Sequence, residues 1–239
     1  MTNEIKHIWH SPLYWCLLFT GIAARVVFAY LDFRHRTETF FTLSAEYFSK
    51  LGSFTMALLI LVVFIHRFSM DTETGAAPIF SCTYHGRRNL YFTRLASGVI
   101  MTVFSVIVLA GANIAVTNLF GASLSAAEAW LPDFIHHTGI SVLGSIGYYL
   151  FSAFVCDIVS SQAAAMCICG LPFGFSYIIN TGKIKEFDLF WFLRYGFFTE
   201  YMRGRTIASQ PLFWWIWYAI MILGLFVLSL YRRKERKLL

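Results

Sequence analysis

The chain has 239 residues, 58% of them hydrophobic and only 13% charged. A soluble domain of this size carries about a quarter charged residues, so the composition excludes the soluble classes and points to a membrane-embedded chain. The net charge of +6 does not signal nucleic acid, because the basic residues gather beside apolar runs, where orientation signals lie.

Residues 1–12 place Ile5, Ile8 and Trp9 at helical spacing, with Glu4, Lys6, His7 and His10 on other sides. This predicts a short amphipathic helix lying in the interface, ended by Pro12. The next apolar run passes Ala23-Ala24 into Arg25 without a small-x-small cleavage site, so it reads as a span and not as a cleaved signal. Span one is expected over residues 13–31, close to the roughly 20 residues a bilayer needs, and Arg25, near its end, is expected to snorkel to the outer interface. Span two is expected over 52–68.

A polar interval runs from Met70 to Leu95. Asp71 and Glu73 come first, then Gly75, then the apolar Ile79 and Phe80, then Arg87, Arg88 and Arg94. Acid first and base last is the order that favours a helix dipole, so the interval predicts a surface helix over 75–91, outside the bilayer.

Span three is expected over 95–119, where Gly98, Ser105 and Ala110-Gly111-Ala112 form a trail of small residues suited to close helix contact. Asn113 and Asn118 are expected to bond between helices or sit at the interface. Residues 121–138, with Pro132, Asp133, His136 and His137, read as an outer loop. Span four is expected over 139–155 and span five over 163–179, with Gly170-Leu171-Pro172 kinking it. The interval 180–211 is too aromatic for a linker and too charged for a span, which predicts short interfacial or re-entrant helices. Span six is expected over 212–230, ahead of the basic cluster Arg232-Arg233-Lys234-Glu235-Arg236-Lys237. Six spans put both termini on one side, and the basic tail makes that side the cytoplasm. The fold class is thus all-α and polytopic.

The interval after span two resembles the cytoplasmic loop between the second and third spans of ABC-2 type transporter permeases. The residues that carry the likeness are Glu73-Thr74-Gly75, Arg87 twelve positions later and Arg94 seven beyond that. One departure is visible: the family places a proline soon after the apolar run, where this chain has Tyr84, with Pro78 earlier. The resemblance implies a permease subunit with an N-terminal interfacial helix, a cytoplasmic coupling helix, short extracellular helices between spans five and six, and a plasma-membrane location. It implies that Glu73, Gly75, Ile79, Phe80, Tyr84, Arg87, Arg88 and Arg94 form the docking element for an ATPase. Two ATPase subunits and a second copy of this chain or a related permease are the implied partners. No Gly-x-x-x-x-Gly-Lys-Ser/Thr occurs in the sequence, so ATP and Mg would be bound by the partner and no cofactor by this chain. A hydrophobic or amphipathic substrate such as a peptide, exported or guarded against, is expected by analogy.

Two readings compete. Asp133, His136 and His137 invite an intramembrane metal-dependent enzyme, although the remaining histidines are scattered and no His-Glu-x-x-His occurs. A sensor or assembly factor without transport is the other. The five cysteines, Cys16, Cys82, Cys156, Cys167 and Cys169, are odd in number and mostly inside apolar runs, so they read as small buried hydrophobes.

Overall fold

Long apolar runs satisfy their backbone in a bilayer by coiling into helices. The computed structural model describes residues 2–35, 51–68, 86–120, 127–159, 161–178 and 198–204, with positions 216, 219–221, 223, 224, 226 and 227. All regular structure among these is helical: α1 (Thr2–Trp9), α2 (Pro12–His35), α3 (Ser53–Phe68), α4 (Gly86–Leu119), α5 (Ala127–Val159), α6 (Gln162–Ile178) and α7 (Thr199–Met202). Three stretches are long and apolar enough to cross a membrane: Pro12–Leu31, Leu90–Leu119 and Leu131–Val159. The shortest of them, 20 residues, extends about 30 Å at 1.5 Å per residue, the thickness of a hydrocarbon core. Two further apolar helices, Ser53–Phe68 and Gln162–Leu171, are shorter. The structure therefore supports an all-α, membrane-like protein with three helices of spanning length in the described residues, not the expected six. Most of the expected sixth span and the whole C-terminal cluster lie outside the described residues.

Contacts between helices fix their directions. Going up α2, Tyr14 meets Ser105, Arg25 meets Asn113 and Thr117, and Tyr30 meets Phe120, so α2 and α4 run parallel. On α3, Phe64 stacks on Tyr14 while Thr55 lies against Gly21, so α3 runs the other way. Helix α5 runs with α3, since Tyr149 contacts Phe64 and Cys156 reaches the Ile65 carbonyl. Helix α6 opposes α3, with Gln162 at His66 and Gly170 near Leu61. Helices consecutive in the chain, α2 to α6, thus alternate in direction, and Phe226, from the described part of the expected sixth span, touches Phe92 at the start of α4.

The core sits on α3. Its middle, Leu59–Phe64, is a π-helical stretch in which Ile65 N donates to Ile60 O, and five of its six residues are buried. A π turn is wider than an α turn, and carbonyls at its end are taken up from outside. Gln162 Nε2 donates to Val62 O at 3.3 Å, and the Cys156 thiol to Ile65 O at 3.9 Å. These bonds tie α5 and α6 to the end of α3.

Two expected loop boundaries are corrected. Helix α4 begins at Gly86 and runs unbroken for 34 residues, so residues 86–91 belong to the foot of the third long helix and not to a separate surface helix ending at 91. No proline or glycine interrupts 87–97, and a break there would orphan backbone groups at two new helix ends. That continuity overrides the dipole argument, which disfavours Arg87 and Arg88 in a first turn. Helix α5 begins at Ala127, well before the expected 139, and carries Pro132 inside it. Its start, Ala-Glu-Ala, is made of strong helix formers with an acid where the dipole favours one. Pro132, the sixth residue, removes one backbone bond near the helix end. Helix α6 continues through Gly170-Leu171-Pro172.

Candidate functional site

The foot of the bundle is where α1, the end of α3 and the start of α4 meet. Ile8 of α1 is buried, and Trp15 Nε1 donates to the Trp9 carbonyl at 2.6 Å. The Trp9 ring packs on Trp15 and Phe104. Arg94 turns inward and pairs with Glu4 at 3.6 Å, and the two side chains are only 11% and 15% exposed. Arg67 lies close enough to interact with both charges. The Arg94 carbonyl accepts bonds from Ser97 Oγ and, at 3.1 Å, from Tyr149 Oη. Tyr149 can come this near because residue 98 is glycine: a Cβ there would stand 2.1 Å from the phenol oxygen.

Of the eight expected coupling residues, Glu73, Gly75, Ile79, Phe80 and Tyr84 lie outside the described residues. Arg87 and Arg88 are in the first turn of α4. Arg94, further up α4, pairs with Glu4 of α1 inside the bundle. The spacing of Ile5, Ile8 and Trp9 signals α1 as an amphipathic helix, but no local pattern pairs Glu4 with Arg94.

A second polar centre lies between α2 and α4. Arg25 is 3% exposed; Nε donates to Asn113 Oδ1 at 2.7 Å and Nη2 to Thr117 Oγ1 at 3.0 Å. Asn113 and Thr117 are four apart on α4 and so share a face. The Thr117 hydroxyl gives its own proton to the Asn113 carbonyl at 2.7 Å, which leaves its oxygen as an acceptor for the guanidinium. The expected snorkelling of Arg25 is thus corrected: two bonds to a charged donor, about 1.5–3 kcal/mol each, offset a burial cost of at least about 2.5–3.5 kcal/mol. The expectation of Asn113 as an interhelical partner holds.

The third centre is the segment 198–204, packed on α5. Phe198, Glu200, Tyr201, Met202 and Arg203 are all buried. An added Cβ at Gly144 would stand 2.5 Å from the Met202 amide, and one at Gly147 2.4 Å from the Phe198 ring. Gly147 is the seventeenth of the 29 residues from Leu131 to Val159, so the segment reaches the middle of the long apolar stretch. Irregular backbone survives at such depth only when buried in protein or lining a cavity. Glu200 and Arg203 pair at 2.8 Å, 1% and 7% exposed. His137 Nδ1 donates to the Gly204 carbonyl.

Of the expected outer-loop trio, only His137 turns inward. Asp133 and His136 are exposed on α5, and the two imidazoles stand edge to face with centroids 6.0 Å apart. Among the described residues no three His, Cys, Asp or Glu side chains converge as metal ligands. Segment 198–204 is the described part of the interval 180–211, and Gly144-x-x-Gly147 on one side of α5 makes the notch that receives it.

Comparison with protein-family models, with curated proteins and with solved structures finds no match to this chain.

Proposed function

We propose that the chain is the membrane-spanning permease subunit of an ABC-2 type exporter, with six spans, both termini cytoplasmic and a plasma-membrane location. Two separate P-loop ATPases would supply ATP and Mg, and a second copy or a related permease would complete the pathway. The observation that carries the reading is the pairing of Arg94, the last position of the loop pattern, with Glu4 of α1. A loop moved by an ATPase would pull on α4 and, through this pair, on α1 and α2. The alternating helix directions agree with such a layout, and the exposed apolar side chains of α2, among them Phe19, Val26, Val27 and Phe28, suit lipid and a hydrophobic or amphipathic substrate such as a peptide. The enzyme reading has less support, because Asp133, His136 and His137 diverge.

Two experiments test the proposal. Cysteine at Arg88 is expected to react with an impermeant maleimide only after the membrane is opened, and cysteine at His136 in intact cells; the reverse pattern removes the cytoplasmic loop. Phe80→Asp places a charge in a contact expected to be apolar, at a desolvation cost of several kcal/mol. It is expected to abolish co-purification with the cognate ATPase while insertion is unchanged, and retention at the parent level refutes the docking role.

A further inference from the structure

Helix α3 is continuous from Ser53 to Phe68, yet its middle departs from the α pattern. Leu59–Phe64 is π-helical, while Leu58 before it and Ile65 after it have ordinary α backbone, with φ of −62° and −71°. A π turn closes on the fifth residue instead of the fourth, so the stretch takes in one residue more than an α-helix would. Such stretches are rare and gather at functional sites. The half of α3 before it is held by its surroundings: Thr55 lies against Gly21, and Met56 and Ala57 are buried. The half after it is gripped by the neighbouring ends of α5 and α6. Gln162, the first residue of α6, donates from Nε2 to Val62 O at 3.3 Å and accepts at Oε1 from His66 Nδ1 at 2.7 Å. Cys156 of α5 adds its contact to Ile65 O. The Gln162 amide thus spans Val62 and His66, across the point where the helix returns to α geometry.

We propose that the π stretch of α3 is a stored residue and that Gln162 is the catch that keeps it: on release the stretch reverts to α and turns the end of α3 about its own axis. Absorbing one residue rotates everything after it by about 100° and lengthens the helix by about 1.5 Å. Each side chain beyond the stretch then takes the direction of the one that follows it. Ile65, fully buried, comes to where the exposed His66 stands, and His66 comes to the place of Arg67, which moves away from Glu4 and Arg94. The π form is kept by the bonds of Gln162, by the burial of Ile65 and by the Phe64 ring in contact with Tyr14 and Tyr149. The α form restores the regular bonding that helices otherwise adopt almost throughout. The polar interval from Met70 follows directly on the half that turns, so a pull on that interval acts on this half first. As a transmission device the change rests on the transport reading, but the conversion itself is measurable with no partner present.

The test is thiol reactivity of the full chain in lipid vesicles toward the small neutral reagent methyl methanethiosulfonate. Cys16, Cys82, Cys167 and Cys169 are replaced by alanine and Cys156 by serine, which keeps a donor toward Ile65 O. In this background Ile65→Cys reports on the half that turns and Ala57→Cys on the half that does not. With Gln162 in place both thiols are expected to react slowly. Gln162→Met, of similar length but without the amide, is expected to raise the rate at position 65 at least tenfold and leave that at position 57 unchanged. Deleting Val62 removes the stored residue; the chain is expected to insert with both thiols slow, and Gln162→Met is then expected to change neither by more than about threefold. A flat response at position 65 overturns the proposal. A parallel rise at position 57 does so too, since Gln162 would then hold α3 as a whole. A Val62 deletion that does not insert, or that answers Gln162→Met as the undeleted chain does, also overturns it, because the two halves of α3 would not share one α register. If the labelling follows expectation while Phe80→Asp leaves ATPase binding intact, the stored residue stands and the transport reading falls; if Phe80→Asp releases the ATPase while position 65 stays slow in Gln162→Met, the transport reading stands and the stored residue falls.

Discussion

Replacing Asn113 by leucine tests whether Arg25 is held by α4. The substitution keeps the number of side-chain heavy atoms and the fork at Cγ, and removes the acceptor 2.7 Å from Arg25 Nε. A bond to a charged donor is worth about 1.5–3 kcal/mol, so the variant is expected to lose that much, and the guanidinium, 3% exposed, has no route to water without moving α2. Thr117→Val removes the longer acceptor contact, at 3.0 Å, and is expected to fall at the lower end of that range, about 1.5 kcal/mol. Arg25→Met removes the charge and leaves the Asn113 amide to be re-satisfied, again at about 1–2 kcal/mol. The decisive variant is the double one. Once both Arg25 and Asn113 are apolar neither leaves the other as a buried unmatched group, and the stability is expected to return to within about 1 kcal/mol of the parent. The coupling in the cycle, the two single losses less that of the double variant, is then about 1.5–5 kcal/mol, roughly a 10- to 5,000-fold change in the unfolding equilibrium. Reversible unfolding in mixed detergent micelles, followed by tryptophan fluorescence, measures it. Additive single variants would show that Arg25 and Asn113 act independently, as an arginine reaching the interface would.

Two glycines of the same small-residue trail are expected to respond oppositely to alanine. Gly98→Ala drives a Cβ to 2.1 Å from the buried Tyr149 phenol and should lower stability by about 1–3 kcal/mol, whereas Gly111→Ala meets nothing within 4 Å and should raise it by about 0.5–1 kcal/mol; thermal unfolding in detergent ranks the two, and equal effects would refute the close approach of α4 and α5. Glu4→Gln weakens the 3.6 Å pair with Arg94 by less than about 1 kcal/mol, because both groups keep some solvent. Its expected signature is faster amide exchange in α1 with unchanged exchange in the middle of α4; unchanged exchange in α1 would show that Ile8 and the tryptophans alone hold it.

The helices were legible because length and unbroken apolarity are local properties. All five apolar runs that fall in the described residues formed helices near their expected places, and Asn113, Gly98 and Ser105 were singled out from their type alone. What the sequence does not carry is which partner a given side chain meets. Arg25 meets Asn113 across 88 positions, and no pattern within α2 encodes that neighbour. Gly98 and Gly111 look alike in the sequence, yet one faces Tyr149 and the other open space, because a trail of small residues does not say which face another helix will use. His137 was read as solvated since Pro132 and Asp133 suggested a loop. The helix-forming residues before them carried α5 outward instead, and that extension brought His137 within reach of Gly204.

Polar groups are distributed unevenly along the bundle, and the unevenness bears on where the molecule can move. Near α1 the interior is a continuous run of rings, Trp9, Trp15, Tyr14, Phe64, Tyr149, Phe68 and Tyr91, each in contact with the next. Such contacts add about 0.5–1.5 kcal/mol per pair beyond burial, and the Glu4–Arg94 pair fastens their edge. The opposite half holds the Arg25 centre, the Glu200–Arg203 pair and the His137 bond, all of which depend on a few directed interactions. Directed bonds in a dry interior are strong while satisfied, and a single loss leaves a buried charge or donor that is costly to keep. Apolar ring packing has no such threshold and yields gradually. Substitutions among the rings near α1 are therefore expected to lower stability in graded steps, whereas loss of the Asn113 acceptor beside Arg25 is expected to act all at once.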